Sequence, residues 1–220
     1  MILYSSEEHY FIGSCVDMNS ELKTEKARKT CKNILDSAKT VFIEKGFNQV
    51  SVKDIAAHAG LGHGTFYLYF SDKKDVFYKL LEQVEDDLYT AFQGGVDIDA
   101  EYKEGLSTYR ALRKDIAAIF ESFKRNYNII RLSKELASLD PQFAEKYYNI
   151  RLRLIERTER IIDRSPLQKH VDSKIAAVAI AGMIESTAEE WLNLNNPHRI
   201  EMDFDRLLST ISKMYFKLVS

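Results

Sequence analysis

SVKDIAAHAGLGHGTFYLYF, residues 51–70, decides the fold of this 220-residue chain. Ser51 can cap a helix through its hydroxyl while Asp54 reaches back to the cap backbone. Val52, Ile55, Ala56 and Ala59 then fall at helical spacing and make one apolar face, with Ala56 small enough to let a second helix cross closely. Gly60 ends this helix, because helices usually stop on a residue with positive φ, which glycine adopts without a Cβ clash. Leu61 plugs the corner. Gly62, His63, Gly64 and Thr65 open a second helix, Phe66 and Phe70 recur as core anchors, and Tyr67, Leu68 and Tyr69 project outward, where tyrosines suit a phosphate backbone. The pattern predicts a helix-turn-helix. The plainer alternative is an αα-hairpin in which Tyr67 and Tyr69 are half-buried and His63 is a solvated turn residue.

The flanks extend the hairpin into a domain. Upstream, ILDSAKTVFIEKGF (34–47) sets Ile34, Leu35, Ala38, Val41 and Phe42 on one helical face, with Gly46 as the stop. Downstream, SDKKDVFYKLL begins another helix, with Ser71 or Asp72 as N-cap and Lys73 and Lys74 beside the second helix of the hairpin.

Residues 27–81 closely resemble the DNA-binding domain of TetR-type (tetracycline repressor-like) transcriptional regulators. The matching features are Ala38, Phe42, Gly46 and Phe47 at the end of the first helix, the SVKDIAAHAGL hairpin, GTFYLYF, and the SDKKDVF entry. The resemblance implies that Ser51 touches phosphate at its helix start, that His63, Gly64 and Thr65 approach base edges, and that Tyr67, Tyr69 and Lys73 clamp phosphates. Val52, Gly62 and Leu68 complete the expected DNA-binding set. Two positions depart from the common pattern: Gly62-His63 replaces a serine followed by a basic residue, and Tyr69 replaces a histidine. Both bear on base choice.

Charge gives an independent check. The whole chain carries −2, yet residues 23–75 hold ten Lys/Arg against six acids, leaving +4 there and −6 elsewhere. A modestly basic domain on an acidic body suits a salt-sensitive DNA contact, with the cluster from Lys23 to Lys32 able to follow the backbone or enter a minor groove. A solvated amphipathic helix end is the alternative reading of that cluster.

Composition, 45% hydrophobic with three prolines and nine glycines, predicts one or two helical domains with a sizeable core. Cys15 and Cys31 give neither metal-ligand spacing nor a disulfide framework, which points to the cytoplasm. The five histidines (His9, His58, His63, His170, His198) are scattered, and no Ser/His/Asp, Cys/His or metal-spaced constellation suggests an enzyme, a metal or a cofactor. Nor does any apolar run suit a membrane span. The lipoprotein-like ending Ile12-Gly13-Ser14-Cys15 is rejected as a signal because Glu7, Glu8 and His9 interrupt the apolar stretch and no basic residue precedes them. Met18 is the expected biological start.

Beyond Leu81 helical patterns follow one another, with breaks expected at Gly94-Gly95, Asn126–Asn128, Asp140-Pro141, Ser165-Pro166 and Asn195–Pro197, and with no strand to assign. The small-residue segment Lys174–Leu194 and the stripe Phe204, Leu207, Leu208, Ile211, Met214, Tyr215 and Leu218 fit a two-helix dimer face, or else fill the monomer's own core. Aromatics crowd the middle helices. Phe92, Tyr109, Phe120, Phe123, Tyr127 and Tyr147, with Met183, are candidates to line a cavity for a small apolar or aromatic effector, with Arg151, Glu185 or Tyr109 as polar contacts; packed core is the alternative.

The expected fold is therefore all-α: an extension over 1–22, a three-helix helix-turn-helix DNA-binding domain over 23–72, and a helical effector-binding and dimerisation bundle over 73–220, about nine helices in all. The expected function is a cytoplasmic, homodimeric regulator that binds double-stranded operator DNA, a repressor released by a small-molecule effector. The alternative is a helical carrier or protein-interaction module without operator binding.

Overall fold

The computed structural model describes residues 24–93, 105–163, 171–194 and 196–219. Those residues form eight α-helices, one 3₁₀ turn and no strand: α1 (Glu25–Lys45), the 3₁₀ turn Phe47–Gln49, α2 (Val52–His58), α3 (His63–Phe66), α4 (Lys73–Gln93), α5 (Gly105–Ala137), α6 (Pro141–Asp163), α7 (Ser173–Leu192) and α8 (Phe204–Val219). Among them no helix is long and apolar enough to cross a membrane. The chain divides into two compact units, 1–83 and 84–220, and the division falls inside α4.

In the first unit each helix begins and ends where short-range chemistry dictates. The Thr24 hydroxyl accepts from the Ala27 N–H at 3.2 Å and starts α1. Gly46, at φ 77°, stops it. The predicted face of α1 is all buried: Ile34, Leu35, Ala38, Val41 and Phe42. Phe42, Phe47 and Phe77 close a triangle of rings with centroids 5.2, 5.6 and 5.3 Å apart. Each such pair contributes about 0.5–1.5 kcal/mol beyond the area it buries. At α4, Asp72 is the N-cap, its Oδ1 accepting from the Asp75 N–H at 2.8 Å, while the Asp75 carboxylate accepts from the Ser71 N–H at 2.9 Å.

The second unit is built around α5, which packs against α6, α7 and α8, while α6 also packs on α7. Here the structure corrects an expected break, since α5 runs unbroken through Asn126–Asn128. The Asn126 amide is satisfied without leaving the helix, donating to Ser122 O at 3.1 Å and to Asp87 Oδ2 at 2.9 Å. Asp140-Pro141 starts α6 as expected, with Asp140 Oδ1 accepting from the Gln142 N–H at 2.8 Å. The α8 stripe is also corrected: Leu207, Leu208, Ile211 and Tyr215 are buried within the chain's own core, and Phe204 stacks on Trp191 with centroids 4.8 Å apart. Of the described members of that stripe, Met214 is the exposed one.

Cys31 is buried in α1. Cys15, the extension 1–22, Gly94-Gly95, Ser165-Pro166 and Asn195 lie outside the described residues.

Candidate nucleic-acid interface and effector cavity

The hairpin is held by three local devices. Ser51 and Asp54 form the reciprocal capping box: the Asp54 N–H donates to Ser51 Oγ at 3.2 Å, and the Ser51 N–H donates to Asp54 Oδ2 at 2.9 Å. The Ser51 hydroxyl also donates to Asp54 Oδ2, and Lys45 Nζ lies 3.3 Å from Oδ1. The Ser51 hydrogen bonds, with the Lys45 charge, hold the Asp54 pKa down to about 2. At the other end of α2, Gly60 at φ 68° lets the Leu61 N–H reach Ala56 O at 2.9 Å and the Gly60 N–H reach Ala57 O at 3.1 Å. That is the paired-bond Schellman stop. Asn33 of α1 donates its side-chain amide to Ala59 O at 2.8 Å, which ties the turn to the first helix.

The second helix of the hairpin is shorter than the expected run through Phe70. Only His63–Phe66 is α-helical, with Gly62 as N-cap. Tyr67, Leu68 and Tyr69 continue as a tightened turn, with Leu68 N–H to Thr65 O at 3.3 Å and Tyr69 N–H to Phe66 O at 2.9 Å. Two glycines and a run of β-branched and aromatic residues favour helix weakly, so i→i+3 bonds take over. Phe66 and Phe70 are buried as anchors, 5.9 Å apart. The outward residues share one surface. Gly62, His63 and Gly64 are exposed, Tyr67 is 51% exposed and Leu68 70% exposed, while Val52, Thr65 and Tyr69 are half-buried. The His63 ring meets the Tyr67 ring edge-on at 5.2 Å.

Two residues of the expected phosphate set are engaged within the protein. The Ser51 hydroxyl donates to Asp54 within the capping box. Lys73 is turned inward. Its ammonium donates to Phe47 O at 2.9 Å, Asn48 O at 3.3 Å and Val50 O at 2.8 Å, and sits 4.7 Å from the centre of the Phe47 ring. Burial pushes its pKa below the usual lysine value. Three carbonyls of the 3₁₀ turn and the residue after it thus take all three N–H donors, and Lys73 latches the start of α4 to that turn.

The second unit contains a cavity of about 430 Å³ walled by α5, α6 and α7, with Leu88 of α4. Five of the expected residues line it: Phe123, Tyr127, Tyr147, Arg151 and Glu185. Three others do not. Phe120 is fully buried between Trp191 and Phe204, Tyr109 packs edge-on against Phe216 at 5.6 Å, and Met183 lies off the wall. The Phe92 side chain lies outside the described residues. Sequence reasoning missed Arg131, Lys134 and Glu189, which line the same wall. A signal for them existed: 127, 131 and 134, like 185 and 189, recur at one-turn spacing with residues already singled out.

Two ion pairs cross the cavity wall. Arg151 Nε lies 2.9 Å from Glu185 Oε2, and Lys134 Nζ lies 2.8 Å from Glu189 Oε2. Hydrogen bonding to Glu189 raises the Lys134 pKa and hydrogen bonding to Glu185 raises that of Arg151, while burial, then the nearby carboxylates, raises those of Tyr127 and Tyr147. Near neutral pH the cavity therefore presents charged cations beside neutral phenols.

Residues 34–80 match the model of the bacterial regulatory proteins of the tetR family. That segment is a TetR-family DNA-binding domain. The chain is 28% identical over 142 residues to the HTH-type transcriptional regulator YuxN of Bacillus subtilis, covering 64% of this chain and 43% of that protein. The fatty acid metabolism regulator protein of the same organism is 25% identical, covering 72% of this chain and 81% of that one. A TetR-family regulator from Syntrophomonas wolfei shares the fold, with a TM-score of 0.67 at 21% identity over 87% of this chain and 95% of that chain. A TetR-family DNA-binding domain makes DNA-binding control of transcription the function and does not favour a carrier without operator binding.

Proposed function

We propose that this chain is a cytoplasmic repressor that binds operator DNA as a homodimer and is released when a small apolar or aromatic effector enters the cavity of the second unit. The observation that carries the reading is the capped, glycine-turned hairpin of residues 51–70, which exposes His63, Tyr67 and Leu68 together. In this reading Gly62, His63, Gly64 and Thr65 approach base edges, Tyr67 and Tyr69 hold phosphates, and Val52 and Leu68 border the contact. Lys26, Arg28, Lys29 and Lys32, all exposed along α1, supply the salt-dependent attraction. No catalytic step is involved.

One hairpin reads a half-site weakly, and a symmetric pair spaced about 34 Å apart reads two. The face we assign to the dimer centres on α7, where Ile175 is 70% exposed and Val178 is also exposed, with Met214 of α8. We divide the chain functionally at the start of α4, with 23–72 for DNA and 73–220 for effector and dimer. One continuous helix, α4, carries the Lys73 latch near its start and Leu88 of the cavity wall further along. Its second half is bound by Arg153–Glu85 at 2.8 Å and Arg125–Asp87 at 3.0 Å. An effector that shifts these contacts shifts α4, and a few ångströms in half-site spacing then lower DNA affinity. By reciprocity, operator DNA weakens effector binding by the same factor. The name of the B. subtilis fatty acid metabolism regulator supports an effector with an apolar body.

The test is selection of genomic fragments on the purified chain, followed by footprinting. We expect a palindromic site, a dimer by sedimentation, and a loss of about ten-fold or more in operator affinity for Tyr67→Ala with the dimer intact. Unchanged affinity for that variant would remove the hairpin from the interface.

A further inference from the structure

The cavity wall holds donors that no protein group among the described residues uses. Arg151 commits only Nε to Glu185, and its two terminal amino groups make no hydrogen bond among the described residues. Lys134 commits one bond to Glu189. The Tyr127 and Tyr147 hydroxyls have no protein partner among the described residues, and Tyr147 lies within the field of Glu185, Lys134, Arg151 and Glu189 together. The two carboxylates of the wall each already receive a cation. Each of those carboxylates already has its charge balanced by a cation, whereas an anionic head group can add to donors, on residues lining the cavity, that no protein group among the described residues uses.

We infer that the effector carries a carboxylate on an apolar body, with the head group received by the outer edge of Arg151, by Lys134 and by the Tyr147 hydroxyl. The inference rests on the effector-responsive reading above and names the chemistry of its ligand. The fork of a guanidinium accepts a carboxylate through two parallel N–H···O bonds, a match in shape as well as charge. The rest of the wall offers what an acyl or aromatic body needs: Leu88, Phe123, Ile130 and Leu154 are apolar, and about 430 Å³ is within the usual range for a small-molecule site. Tyr127 and Tyr147 stay protonated near neutral pH and so remain donors toward an anion.

Calorimetric titration of the full chain with decanoate, methyl decanoate and decylamine tests this. The three probes share a body and differ in head group. We expect decanoate to bind at least about ten-fold more tightly than either of the others, since hydrogen bonds to charged groups contribute that much or more. Arg151→Ala is expected to weaken decanoate about ten- to a hundred-fold and to leave the ester within a few-fold. Should that variant disturb the packing of α6 on α7, Tyr147→Phe keeps the ring and removes only the hydroxyl; it is expected to weaken decanoate about five-fold and the ester not at all. Equal or tighter binding of decylamine or the ester, or no binding of any probe, overturns the head-group assignment. Operator retention separates this outcome from failure of the regulator reading. Release of DNA by decylamine alone sinks the carboxylate and keeps the regulator, while a chain that retains no genomic fragment sinks the regulator and leaves calorimetry to decide the head group.

Discussion

The hairpin unit and the cavity unit have equally helical sequences, yet they respond very differently to being read. In the hairpin the decisive forces act over a few residues: Ser51 on Asp54, Gly60 on its own backbone, Asp72 on Asp75. In the cavity unit they act between helices, where the same aromatic spacing serves equally for core and for cavity wall. Phe120 and Phe123 make the point. They are one turn apart on α5, but Phe120 is sealed against Trp191 and Phe204, while Phe123 lines the cavity. A helical period says that a face is apolar and cannot say what lies opposite it.

The largest expected effect tests that pair. Phe120→Ala should lower unfolding free energy by about 3–5 kcal/mol in a denaturant titration, because it leaves a void in a packed core. Phe123→Ala should cost far less and instead change effector affinity. Equal losses of stability from the two would erase the distinction between core and wall.

Lys73→Met comes next and sharpens the account of the hairpin unit. Removing the ammonium from these three carbonyls, of which Phe47 O keeps the Val50 N–H, should cost about 1–3 kcal/mol of stability. The slope of log affinity against log salt should stay unchanged, because the latch spends its charge inside the protein. A phosphate clamp would predict the reverse, nearly full stability and a slope smaller by about 0.9 per site.

The smallest effect concerns acid stability. Asp54 is held at about 2 in the fold against an ordinary value of 3.8, so its stabilising contribution is complete above about pH 4 and is lost as pH falls toward 2. Ser51→Ala removes the largest cause of that depression and should weaken the acid-induced loss of helix in this window, in addition to a cap penalty of about 0.5–2 kcal/mol. An acid limb identical to that of the parent chain would show that the capping box does not govern it.

Much of the hairpin unit was legible before any coordinates. The face of α1, the stop at Gly46, the capping box and the turn at Gly60 all follow from residues within about one helical turn of one another. The truncation of α3 to His63–Phe66 was less legible, because the weak helix preference of GTFYLYF competes with an amphipathic pattern that looks continuous. Of the cavity, the aromatic supply and Arg151 and Glu185 as polar residues of the wall were legible. The pairing of Lys134 with Glu189 was not, because it spans 55 residues of chain and joins two helices.

The sequence by itself determined where α1, α2, α4 and α6 start or stop, that one end carries a helix-turn-helix, and that this end is basic against an acidic remainder. Those properties depend on covalent neighbours and on composition, which no packing arrangement alters. Tertiary structure alone decided the direction of the long side chains. Lys73 lies 26 residues from the carbonyl of Phe47, and only the packing of α4 beside the 3₁₀ turn brings them together. A lysine with three carbonyls within reach, two of them part-buried, bonds them first, because a part-buried carbonyl left unpaired costs more than a solvated ammonium gains at the surface.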